Sequence, residues 1–111
     1  MIKVQGLNYQ VLLRNAALTS DLDGESLLSD CMITIRANMP VQRQQQTLWH
    51  EVMHVIMEGE DGGGLSPKEE KFVTRISNTL FAVLSDNRLL APGWWNNVVD
   101  HAEFDKYDDR G

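Results

Sequence analysis

Residues 47–59 read TLWHEVMHVIMEG, and from Leu48 to Met57 the only ionisable side chains are His50, Glu51 and His54. An α-helix places residues i and i+4 on one face, one turn apart. The two imidazoles can therefore aim at a common point about 2 Å from each nitrogen, the distance a zinc ion requires. Glu51 lies about 100° around the helix from His50 and about 60° from His54 on the other side. From there it can reach a water on a metal without displacing either ligand. This is the H-E-x-x-H arrangement of metalloproteases. Leu48, Trp49, Val52, Met53, Val55, Ile56 and Met57 surround the triplet, so the helix is predicted to be covered on several sides. Burying two imidazoles and a carboxylate without partners is costly, and a metal satisfies all three.

A catalytic zinc usually takes three protein ligands and leaves the fourth position to water. The next helix is the natural source of the third, and SPKEEKF offers Glu69 and Glu70. Periodicity favours Glu69, which lies in the middle of the Val73, Ile76 and Leu80 stripe. Capping chemistry favours Glu70, because Ser66 is placed as an N-cap and Glu69, three residues on, suits the reciprocal bond of a capping box. Glu70 is also in register with Ser77, a small residue that lets two helices approach closely. The expected metal set is His50, His54 and Glu70, with Glu69 the alternative and His101 a more distant one.

Around this core the chain reads as strands followed by helices, a single α+β domain over residues 1–111, with the core over about 1–90 and an extension over 91–111. IKVQGLNYQVLL alternates and then runs apolar, with Gly6 and Asn8 as turn chemistry, which predicts two short strands or one bulged strand. NAALTSDLDGESLLSD is turn-rich and has room for a short helix. CMITIRA, residues 31–37, is β-branched and alternating and makes the clearest strand. Pro40 suits the first turn of the helix that carries the triplet, and Gly59 is its natural stop. GEDGGG is a flexible loop. Ser66 and Pro67 open a second helix, in which Phe72, Val73, Ile76, Leu80, Val83 and Leu84 keep a helical period. A turn at Pro92-Gly93 then precedes one short helix.

Composition narrows the function. The formal charge of −6 argues against direct nucleic-acid binding, which needs clustered Lys and Arg. No stretch approaches the ~18 apolar residues of a membrane helix. The first residues lack the basic and apolar regions of a secretion signal, and Cys31 stands alone, so a reducing bacterial cytoplasm is the expected setting. Much of the acid lies in HAEFDKYDDRG, predicted to be a solvated tail. Met32, Met39, Met53 and Met57 read as core filler, and Cys31 as a small buried hydrophobe. Trp94 and Trp95 are expected to pack over the second helix or to form a ledge for a substrate or partner. Half of a di-iron carboxylate site is present in Glu51-x-x-His54, but the chain holds no second Glu-x-x-His.

The order MITIRAN, TLWHEVMHVIM and EEKFVTRISNTLFAVLSDN resembles the small ImmA/IrrE-like metallopeptidases, often encoded by phages and mobile elements, over roughly residues 1–90. The resemblance implies a minimal zincin-like core in which His50, His54 and Glu70 bind zinc and Glu51 is the general base. Larger members carry an Ala-Asn-x-Phe-Ala run and a Met-Pro after the Glu helix. Here SNTLFAVLSDN stands in shifted register and no Met-Pro follows. The function this implies is hydrolysis of a peptide bond in a protein or peptide substrate, Glu51 moving the proton from water to the leaving amine. Tyr107 and His101 are the candidates to stabilise the oxyanion. Two other readings stand beside it: a zinc-stabilised binding or regulatory protein with little turnover, and a small assembly protein in which a metal is incidental. The sequence does not specify an oligomeric state.

Overall fold

The computed structural model describes residues 1–14, 23–58 and 64–100. Its elements are β1 (Ile2–Val4), β2 (Leu7–Arg14), β3 (Gly24–Leu27), β4 (Met32–Arg36), α1 (Val41–Glu58), α2 (Pro67–Asp86) and α3 (Trp94–Val98). The fold class is α+β, a four-stranded sheet followed by helices.

The first segment forms two strands. Val4 pairs with Leu7, so Gln5 and Gly6 make a two-residue hairpin loop, with φ of 51° and 86°. Positive φ at both positions is what a type I′ turn demands. Asn8 sits in β2 and takes no part in the turn.

The sheet order is β1-β2-β4-β3, with β2 and β4 parallel and the other pairs antiparallel. The register sets Val11 beside Ile33 and Leu13 beside Ile35. With the period-two alternation of strands these four share one face. They form the core with Leu48, Val52 and Val55 of α1.

Two expectations about the middle of the sheet need correction. Residues 24–27, taken as turn-rich, are the edge strand β3, whose short polar sequence pairs with β4 from Gly24↔Ile35 to Leu27↔Met32. Pairing with a partner already in place, which local propensity does not register, makes it a strand. Cys31 does not begin β4. It closes the turn between the two strands, half-buried against the core, with φ 49° and its amide donating to Leu28 O at 3.2 Å.

α1 starts where Pro40 O accepts from the amides of Arg43 and Gln44, both at 3.0 Å. The Gln44 side chain donates to Ala37 O at 2.8 Å and ties this start to the end of β4. Residues 59–63 lie outside the described set, and with them the expected stop at Gly59.

α2 opens with the predicted capping box: Glu69 N donates to Ser66 Oγ at 3.2 Å, and Ser66 N donates to Glu69 Oε1 at 2.9 Å. Its buried face is Val73, Ser77 and Phe81, while Phe72, Leu80 and Val83 of the expected stripe are exposed. The helix packs chiefly on α1. Among the described residues α1 is its main neighbour, so α2 buries a narrow face, with Ser77 fully covered on it.

Trp94 lies against Trp49 of α1 with the rings tilted by 36° and centroids 6.1 Å apart, and meets Trp95 edge-on at 5.4 Å. Both pack against the sheet–α1 core, which corrects the expected packing over the second helix. Beyond α3, Asp100 N donates to Val11 O and Val11 N donates to Asp100 Oδ2, each at 2.9 Å, so the chain returns to β2 past the end of β1.

Among the described residues, no helix is long and apolar enough to cross a membrane. The tail from His101, including Tyr107, lies outside those residues.

Candidate metal centre

His50 and His54 stand one turn apart on α1, their ring centroids 4.9 Å apart. Both present Nε2 to the first turn of α2. Glu70 Oε1 lies 3.0 Å from His50 Nε2 and 3.1 Å from His54 Nε2, and Glu70 Oε2 lies 3.0 Å from His54 Nε2. The three side chains form a group that could hold a metal ion, with donor atoms all within 4.8 Å of one another. Donors at tetrahedral corners around zinc are about 3.3 Å apart, since each lies ~2.0–2.1 Å from the ion. The carboxylate–imidazole contacts seen here are close to that spacing, so the two nitrogens and the carboxylate could hold a metal ion together.

Protonation favours the same role. The His50 pKa is lowered, first by burial and then by the neighbouring His54, against the opposing pull of Glu70. A neutral imidazole is the ligand form.

Glu69, the alternative third ligand, is exposed and engaged in the cap, and hydrogen bonds from the Ser66 amide and then its hydroxyl hold the Glu69 carboxyl below the usual range. Its neighbour, one residue on, faces α1 because Glu70 and Ser77 are two turns apart on one side of the helix. The 0% exposure of Ser77 marks where the helices come together.

Glu51 is buried at 7% exposure, on the side of α1 that meets β3. Burial pushes its carboxyl up to about 7, against the charge of His54 and a hydrogen bond from the Ser26 side chain. Gly24 makes this closeness possible. A Cβ there would stand 2.5 Å from Thr47 Cγ2, 3.1 Å from Thr34 O and 3.4 Å from Glu51 Cγ, so a side chain would force Thr47 or the edge strand to shift.

A cavity of about 630 Å³ opens onto the centre, its wall including Ser26, Thr47, His50, Glu51, Glu70 and Asn78. Arg43 at its rim is held by Asp23, with Nη2 2.6 Å and Nε 3.1 Å from Oδ2.

Several members of the site were not foreseen. Gly24 and Ser26 belong to the strand read as turns and Asp23 directly precedes it, and no local pattern marks them. Glu58 was legible: it lies four residues beyond His54, and its Oε2 is 3.6 Å from His54 Nδ1. The i,i+4 spacing that pairs the two imidazoles pairs this acid with the second of them.

Comparison with protein-family models, with curated proteins and with solved structures gave no match to this chain.

Proposed function

We propose that this protein is a zinc-dependent metallopeptidase of the small ImmA/IrrE-like type, acting on a protein or peptide in the cytoplasm of a bacterial host. The observation that carries the reading is the convergence of His50, His54 and Glu70 beside a buried Glu51 whose carboxyl is pushed up to about 7. Two imidazoles and one carboxylate are a common catalytic zinc set.

A zinc ion supplies Lewis acidity, lowering the pKa of a water and polarising a scissile carbonyl. The remaining work falls to the chain. Glu51 has a proton affinity near neutral pH, so it can take a proton from the attacking water and hand it to the leaving amine. Ser26 and the tight packing at Gly24 hold its carboxylate in place. Among the described residues the outer side of β3 is a sheet edge beside the cavity, and an extended peptide can add to it as a further strand. Thr74 and Asn78 of α2 line the facing wall.

The second reading, a zinc-stabilised binding protein, draws support from α2. That helix rests chiefly on α1, so a metal would serve to hold it. Replacing the base separates the two. Glu51→Gln is expected to keep stoichiometric zinc by elemental analysis of tag-free protein. Its cleavage of a proteome-derived peptide library, read by mass spectrometry, should fall about 10²–10⁴-fold. Cleavage at the wild-type rate by this variant refutes the peptidase reading. Zinc binding with no cleavage by the wild type favours the second.

A further inference from the structure

We propose that Glu58 is a positioning residue for the metal centre, holding His54 through its Nδ1 so that Nε2 faces the ion. The proposal rests on the metal-binding reading of the triad and not on peptidase activity.

The two nitrogens of His54 face different carboxylates. Nε2 is 3.0 Å from Glu70 Oε2 on α2, and Nδ1 is 3.6 Å from Glu58 Oε2 on its own helix. The latter distance is longer than a hydrogen bond, and a small turn of the ring or of the glutamate closes it. Both partners are well covered, with side-chain exposures of 18% for His54 and 13% for Glu58.

Two features make Glu58 hard to explain as a surface acid. It is the last residue of α1, where the helix dipole disfavours negative charge, and no basic residue shares that turn. Its carboxylate, half-buried on the cavity wall, also gains from a donor beside it. Among the described residues the ion-pair partner it has is His54 Nδ1. An Nδ1–H aimed at Glu58 satisfies the acid and fixes the tautomer that leaves the Nε2 lone pair directed at the site. Histidine ligands are commonly held in this way, through a carboxylate on the nitrogen that does not bind the metal. His50 differs: among the described residues its ion-pair contact is through Nε2, with Glu70, and none is made by its Nδ1.

The test compares zinc binding to the full chain carrying Glu58, Glu58→Gln or Glu58→Ala. Affinity is measured by chelator competition, and the His54 tautomer by ¹⁵N–¹H correlation of the ring nitrogens. Wild-type protein loaded with zinc is expected to show His54 protonated at Nδ1. Glu58→Ala should bind zinc roughly 10–100-fold more weakly. Glu58→Gln, which keeps an acceptor oxygen, should retain the tautomer and recover part of that loss. The visible spectrum of the cobalt-loaded form should shift in Glu58→Ala and not in a control at exposed Lys3 of β1, Lys3→Ala. Glu58→Ala binding within twofold of wild type, with the tautomer unchanged, overturns the role of Glu58 and leaves the metal centre standing. Wild-type protein that takes up no zinc overturns both.

Discussion

α1 and α2 bring donors to the same point but are held by different means. α1 lies on the sheet, with Leu48 at 0%, Val52 at 7% and Val55 at 3% exposure, and Gln44 ties its start to the end of β4. α2 rests chiefly on α1, buries Val73, Ser77 and Phe81, and leaves Phe72, Leu80 and Val83 exposed. The two histidines therefore stand on a helix fixed by the main core, and their spacing follows from helix geometry alone. Glu70 stands on a helix that, among the described residues, rests chiefly on its interface with α1. A metal shared by the three side chains would stabilise that interface more than the core.

The largest expected effect tests the core side of this contrast. Leu48→Ala should cost about 2–5 kcal/mol, because it removes a fully buried side chain between sheet and helix. Urea denaturation followed by far-UV circular dichroism checks it. A loss under 1 kcal/mol would mean that α1 is not anchored as described.

A smaller effect tests the other side. Ser77→Leu adds bulk where α1 and α2 meet, with an expected loss of about 1–3 kcal/mol and a clear weakening of zinc binding. Leu48→Ala, where still folded, should weaken zinc less per unit of stability lost. Equal effects of the two substitutions on zinc affinity, by chelator competition, would erase the distinction between the helices.

The smallest effect concerns Glu51, at the junction of α1 with β3, in metal-free protein. Its folded pKa of about 7 lies above the ordinary 4.5, so between those values the folded chain binds more protons than the unfolded one. This contribution is fully present below the unfolded value and is lost as pH rises through 7. His50, with its pKa lowered, acts in the opposite sense, its contribution lost as pH falls below the ordinary 6.5. The Glu51 part is isolated by difference. Glu51→Gln should gain on wild type between pH 5 and pH 7, by at most about 1.4 kcal/mol per pH unit. Parallel stability–pH curves for the two proteins would show that Glu51 does not meet the burial described.

Much of the site was legible because its parts are local. His50, Glu51 and His54 are set by one helical turn, and Ser66 with Glu69 by the chemistry of a helix start. Those bonds leave Glu70 as the acid of α2 that faces α1. The Pro92-Gly93 turn and its short helix were legible for the same reason. β3 was not, because Gly24, Glu25 and Ser26 become a strand only beside β4. The buried face of α2 was misjudged because periodicity shows which residues are apolar and not how many neighbours a helix will have.

By itself the sequence determined that two imidazoles share a helix face with a carboxylate beside them, since backbone geometry dictates those relations over one turn. Only the tertiary structure decided which strand borders the triad and where Glu51 is buried. Those depend on contacts between segments far apart in the chain, where packing and register choose among positions that local chemistry leaves equal.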